Sequence, residues 1–238
     1  MKEDLTLIVA VIDASGSMEK IKGGIIDGFN EFIHAQKKLP GEVIFSMIQF
    51  DSGWNYNTYG TAAENLRYKE IYDFRNLKEV EPLTDSSYTP WGGTPLIAAM
   101  TTAIDSIGAK LAAIPEKDRP SKVVFVTMTD GQENSSDKHK FSKEQLAQKT
   151  THQQNKYNWK FIYLGANQDS FAEAGGIGFL AKATRNYEAN YAGTVGAVMA
   201  ASASLCSYRS GASSDISFDE PTELNIKIDE SGNVTITK

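Results

Sequence analysis

Apolar positions in this chain fall into short unbroken runs separated by stretches of helical spacing. Leu5–Ile12 is a near-continuous β-rich run of the length of a strand buried on both faces of a parallel sheet. Ile25, Ile26, Phe29, Phe32 and Ile33 then recur at helical spacing within Ile21–Lys37, and Pro40-Gly41 ends that helix. Val43–Phe50 predicts a second buried strand. Trp54, Tyr56 and Thr58 alternate with polar residues after Asp51-Ser52-Gly53, which predicts a hairpin into an antiparallel edge strand over Trp54–Tyr59. Residues 60–92 carry little pattern beyond a short strand at Leu77–Val80. Thr94–Ile114 reads as a helix with Pro95 in its first turn. Strands at Lys122–Thr129 and Trp159–Leu164 flank a helix over Lys143–Gln154. A helix begins at Asp169 and is stopped by Gly175-Gly176. A last short strand over Ile177–Ala183 and a small-residue helix over Thr194–Tyr208 follow.

Alternating strands and helices specify an α/β, Rossmann-like, doubly wound fold. Its sheet is mostly parallel with one antiparallel edge strand, and helices cover both faces. The last part of the chain departs from this pattern. Ser210–Asp215 is small and polar, and Leu224–Ile228 and Val234–Thr237 alternate around a turn, as in a β-hairpin. The expected division is therefore a main domain over 1–185 and an extension over 186–238. The apolar face of the hairpin is expected to pack on the domain or extend its sheet, because an isolated hairpin is marginal in water.

Composition narrows the class. The chain has 238 residues with 24 Lys+Arg against 30 Asp+Glu, net −6, and no block of like charges. Such a surface does not suit nonspecific binding of nucleic acid or of an acidic membrane. A single cysteine, Cys206, excludes an internal disulfide framework and a cysteine-rich zinc site. No apolar stretch approaches the ~20 residues that span a bilayer, and two acids precede the first apolar run where a secretory leader is basic. These features point to a cytoplasmic domain whose partner is a cation, a protein or a small molecule.

The candidate chemistry lies where strands end. The first strand runs into Asp13-Ala14-Ser15-Gly16-Ser17, with Asp13, Ser15 and Ser17 spaced by two. The strand over Lys122–Thr129 ends in Asp130-Gly131, and Thr94 opens a helix after Trp91-Gly92-Gly93. Ligands of open α/β sheets sit at the carboxyl ends of strands. Two carboxylates and three hydroxyls form an all-oxygen set, suited to Mg²⁺ or Mn²⁺ rather than zinc or copper, with Ca²⁺ also compatible with oxygen donors.

In these residues the chain resembles the von Willebrand factor type A domain. The metal-ion-dependent adhesion site of that family combines Asp-x-Ser-x-Ser, a Thr from a second loop and an Asp from a third. Asp13, Ser15, Ser17, Thr94 and Asp130 match it in type and order. The resemblance covers roughly residues 5–183. It is strongest to small intracellular bacterial and phage members, which carry segments like Ile26-Asp27-Gly28-Phe29-Asn30-Glu31-Phe32, Thr129-Asp130-Gly131-Gln132-Glu133-Asn134 and Phe161-Ile162-Tyr163-Leu164-Gly165-Ala166-Asn167-Gln168. It implies a module that binds an Asp or Glu of a protein partner through the cation.

Other readings of the same residues exist. Asp13 and Ser15 also suit a helix cap. An aspartyl-phosphate phosphatase would need an acid at Ser15. A serine nucleophile would need a placed base, and His34, His139 and His152 read as solvated surface. Gly176-Ile177-Gly178 does not open a helix after a first strand and is not a dinucleotide site. Cys206 reads as a core thiol. A metal-dependent hydrolase and a subunit whose metal only orders the loops are the two alternative functions.

The loops at 13–18, 84–94, 130–137 and 165–169 are expected at one sheet edge, around the cation. They supply Tyr88, Trp91, Gln132, Glu133, Asn134 and Gln168 as the expected partner surface. For Tyr88 and Trp91 the alternative is that the rings fold inward and brace the loop.

Overall fold

In the computed structural model the described residues are 1–53, 66–131, 133–166 and 170–218, together with the backbone of two short strands near the end of the chain. A six-stranded sheet is built from β1 (Lys2–Asp13), β2 (Glu42–Asp51), β3 (Arg67–Asn76), β4 (Pro120–Thr129), β5 (Lys160–Ala166) and β6 (Thr184–Tyr187). Its order is β3-β2-β1-β4-β5-β6, with β3 antiparallel and every other neighbour parallel. The strand order reverses direction at β1, whose neighbours are β2 and β4, and an open α/β sheet forms its ligand crevice at such a point.

The apolar runs of β1, β4 and β5 are continuous because both of their faces are covered. On one face Ile8, Ala10 and Ile12 of β1 join Val124, Val126, Ile162 and Leu164 under α1 (Lys22–Lys38) and α5 (Tyr191–Ser210). On the other, Leu7, Val9 and Val11 join Phe125, Phe161 and Tyr163 under α2 (Leu96–Ala113), α3 (Lys143–Tyr157) and α4 (Ser170–Gly176). By length and composition alone α2 passes as a membrane span, which runs against the sequence reading of residues 94–114. Most of that helix is buried within the domain, as in the core helix of a globular α/β fold.

The antiparallel edge strand exists, but at Arg67–Asn76. The strand expected at Trp54–Tyr59 lies outside the described residues. β3 is half exposed and charged, and its register against β2 shifts twice, at Phe45/Met47 and Met47/Ile48. Each shift interrupts the two-residue alternation that would mark a strand in sequence. Leu77–Glu79 is a 3₁₀ turn rather than a strand. Ile177–Ala183 holds a turn and a 3₁₀ segment, and β6 follows it.

The boundary expected at 185 falls inside β6, and the helix after it belongs to the domain. Ala197, Val198, Ala201, Leu205 and Tyr208 of α5 are core residues of the α1 face. Gly24 and Gly28 let the two helices meet closely. A Cβ at Gly24 would lie 3.0 Å from Thr194 Cβ, and one at Gly28 3.2 Å from Val198 Cβ. Past α5 the chain returns to the sheet edge. Asp215 pairs with Lys160 and Lys182, and Phe218 N–H donates to the Lys182 carbonyl. The terminal strands β7 (Asn225–Ile228) and β8 (Val234–Thr237) pair antiparallel as a two-stranded sheet of their own. The hairpin thus forms as read, but it does not extend the main sheet.

Candidate metal centre

Three loops at the carboxyl end of the sheet are laced together by backbone hydrogen bonds. Asp13 ends β1, and Ala14 N–H donates to Phe50 O at the end of β2. The chain then turns into a 3₁₀ segment, Gly16–Ile21, that leads to α1. Gly16 N–H donates to Gly92 O, and Trp91 N–H to Ala14 O at 2.6 Å, so the first loop is zipped to the second. Thr94 N–H donates to Asn134 Oδ1 while Asn134 N–H donates to Thr94 O, which zips the second loop to the third. The scaffold is held without calling on the side-chain oxygens of Ser15, Ser17 or Thr94.

Those oxygens converge. Ser17 Oγ donates to Asp130 Oδ1 at 2.6 Å across 113 residues of sequence, and Ser15 Oγ lies 3.2 Å from Ser17 Oγ. Asp13 Oδ1 accepts from Ser15 N–H at 2.7 Å. Gly131 marks where Thr94 arrives. A Cβ there would stand 3.1 Å from Thr94 Oγ1 and 3.6 Å from Ser17 Oγ, so a glycine leaves room for both hydroxyls. The structure therefore brings Asp13, Ser15, Ser17, Thr94 and Asp130 to one place. Asp13, Ser15, Thr94 and Asp130 are buried, and Ser17 is open to solvent.

The acid at the base of this cluster is under strain from its surroundings. Complete burial pushes the Asp13 carboxyl up to about 7, against the lowering effect of hydrogen bonds from Thr129 Oγ1 (2.6 Å) and Ser15, and the nearby Asp130 charge adds a small further push upward. Burial also lifts Tyr88 and Tyr187 well above the ordinary phenol range, with the Asp13 and Asp130 charges adding to it, so both remain neutral donors. Tyr88 Oη donates to Asp13 O, and Tyr187 Oη to Thr129 O. Lys20 Nζ lies 3.4 Å from Asp130 Oδ2. The donor set is chemically that of a hard-cation site. It offers only two carboxylates, and no group of three or more His, Cys, Asp or Glu able to hold a metal occurs among the described residues.

The expected partner surface is only partly at the surface. Trp91 is 52% exposed beside the first loop. Tyr88 is a correction: it is fully buried, and its ring braces the Asp13 loop from within. Glu133 is a second one. Its carboxylate accepts from Ile97 N–H, Ser135 N–H, Ser136 N–H and Ser136 Oγ, and so caps the start of α2. Asn134 is exposed, and its side-chain oxygen is engaged by Thr94 N–H and Ser135 Oγ. Gln132 and Gln168 lie outside the described residues. Sequence reasoning did not single out Thr129, Tyr187 or Lys20. Thr129 carried a signal, as a hydroxyl directly before Asp130, whereas nothing local marks Tyr187. His34, His139 and His152 are all exposed, as read. Cys206 is half-buried between α1 and α5 and accepts from Gln36 Nε2.

Neither a protein-family model nor a curated protein sequence matches the chain. Solved structures do. The proximal thread matrix protein 1 of the mussel byssus, with a zinc-occupied MIDAS motif, is 13% identical over 87% of this chain and 47% of its own, with a TM-score of 0.54. A von Willebrand factor type A protein from Catenulispora acidiphila is 18% identical over 84% of this chain and 42% of its own, with a TM-score of 0.51. The manganese-loaded TRAP protein of Plasmodium vivax is 15% identical over 82% of this chain and 72% of its own, with a TM-score of 0.50. The chain spans less than half the length of the first two. At these identities the likeness is one of fold, and this chain has the von Willebrand factor type A fold.

Proposed function

We propose that this chain is a protein-binding module that holds one divalent cation, Mg²⁺ in the cell, and offers it to an Asp or Glu of a partner. The observation that carries this reading is the Ser17–Asp130 contact. It closes loops 113 residues apart around two carboxylates and three hydroxyls. Asp13, Ser15, Ser17, Thr94 and Asp130 would hold the ion, directly or through water. Bound there, the cation supplies excess positive charge that neutral hydroxyls leave uncompensated and an incoming carboxylate neutralises. Asp13 is held by Ser15 N–H and Thr129 Oγ1, so the site is preorganised by groups that are not themselves ligands. The zinc-occupied and manganese-loaded neighbours support a divalent ion here.

Trp91 stands on the rim as the aromatic anchor of the partner surface. We place the module in the cytoplasm, acting by binding and not by catalysis. The test is an affinity capture with the intact chain, with Mg²⁺ and with excess chelator. Chelator should release the partner. Trp91→Ala should weaken capture about thirtyfold, the effect of losing ~2 kcal/mol at a central anchor, with cation affinity unchanged. A partner that stays bound in chelator would place the interface elsewhere.

A further inference from the structure

The 3₁₀ turn that carries Ser17 also carries a lysine. Ser17 and Lys20 are three residues apart within Gly16–Ile21, and side chains three apart on a 3₁₀ helix eclipse one another. Ser17 Oγ holds one oxygen of the Asp130 carboxylate, and Lys20 Nζ lies 3.4 Å from the other. The two ends of this pair sit in different surroundings. The Asp130 side chain is fully buried, while the Lys20 side chain is 58% exposed. An acid buried near a second buried acid, Asp13, needs compensating positive charge. An exposed lysine stem supplies such a charge and can also withdraw it at little cost, because its head never leaves water entirely.

We propose that the Lys20 ammonium is the resident counter-cation of this site and is exchanged for the divalent ion. The inference rests on the metal-binding reading above and adds a regulating residue to it. Without a divalent ion, Lys20 balances the Asp130 charge and keeps the third loop against the first. When the ion binds, the ammonium faces a like charge of twice its size and swings outward to the rim. Lys20 therefore sets the affinity threshold of the site from both sides, stabilising the cation-free state and opposing the loaded one. An ion pair with one end in solvent shifts an equilibrium by about fivefold, and like-charge repulsion adds to that shift.

The test compares Mn²⁺ and Mg²⁺ binding by calorimetry for the full chain, Lys20→Met, Lys20→Arg and Lys22→Met. Lys22 is a neighbouring lysine that pairs with Asp85 and not with Asp13 or Asp130 among the ion pairs of the described residues. Lys20→Met should bind three- to tenfold more tightly than the unaltered chain, and the gap should narrow as salt screens the repulsion. Its cation-free form should melt at a lower temperature, while its loaded form should not. Lys20→Arg and Lys22→Met should bind as the unaltered chain does. If the unaltered chain binds the ions and Lys20→Met binds no more tightly than Lys22→Met, the exchange is overturned and the metal reading stands. If the unaltered chain binds neither ion, the metal reading falls and takes the exchange with it.

Discussion

The phenol of Tyr88 donates to the backbone carbonyl of Asp13 across 2.6 Å, from a ring that no solvent reaches. A residue of the second loop thus fixes the point where β1 gives way to the site. Tyr88→Phe keeps the packing and removes this bond. We expect a loss of about 1 kcal/mol in urea unfolding, the net worth of one buried hydrogen bond, with a parallel weakening of cation binding. Unchanged stability would mean that the ring alone positions the loop.

Asp13 predicts a pH dependence. Its carboxyl lies at about 7 in the folded cation-free chain, against an ordinary value of 3.8, because it is buried. The folded state then holds a proton that the unfolded state gives up. The contribution of this group is therefore fully present below pH 3.8 and is lost as pH rises through about 7. Cation binding selects the ionised form and should release a proton below pH 7. Apparent Mg²⁺ affinity should rise between pH 5.5 and 7 and then level off. Calorimetry in buffers of different ionisation enthalpy measures the proton directly, and Asp13→Asn should abolish both binding and release.

Glu133 predicts an effect on stability where the sequence suggested one on binding. Its carboxylate accepts from Ile97 N–H at the start of α2, where negative charge is favoured, and from Ser135 N–H and Ser136 N–H of its own loop. Glu133→Ala leaves those donors without their acceptor and should cost ~1–3 kcal/mol by chemical denaturation. A variant that lost partner capture with unaltered stability would return Glu133 to the binding surface.

The α1–α5 contact gives a prediction whose sign depends on crowding. Gly→Ala within a helix is worth up to ~1 kcal/mol in its favour when nothing opposes it. At Gly23 a Cβ would meet only the Tyr191 ring at 3.9 Å, so Gly23→Ala should raise the melting temperature. At Gly24 it would meet Thr194 Cβ at 3.0 Å and Tyr191 O at 3.1 Å, and the helices would have to part. Gly24→Ala should therefore destabilise by ~1–3 kcal/mol, as overpacking does.

These residues also show what could be read from sequence and what could not. β1, β4 and β5 were legible because strands buried on both faces need long apolar runs. The convergence of Asp13, Ser15, Ser17, Thr94 and Asp130 was legible because their residue types sit beside strand ends, where backbone turns expose side chains. The β3 edge strand was hidden by two register shifts and a charged, half-exposed surface. Tyr88 and Glu133 were assigned outward because they lie in the right loops. Their true directions come from contacts 75 and 36 residues away, with Asp13 O and Ile97 N–H, which no local pattern encodes. The division at 185 followed the extent of the family resemblance, and the helix expected to pack on the domain, α5, does so through small residues. Its tight fit against Gly24 and Gly28 looks, in sequence alone, like weak amphipathicity.

The packing of α5 has a consequence for how the chain is made. Ile8, Ala10 and Ile12 are synthesised well before Ala197, Val198, Ala201 and Leu205, which share their cluster. At ~5–20 residues per second, roughly ten to forty seconds separate the two on a ribosome. Throughout that interval one face of the central strand lacks its final cover. The domain must then complete its folding after most of it has been translated, and a nascent chain stalled before residue 191 is a natural client for a chaperone.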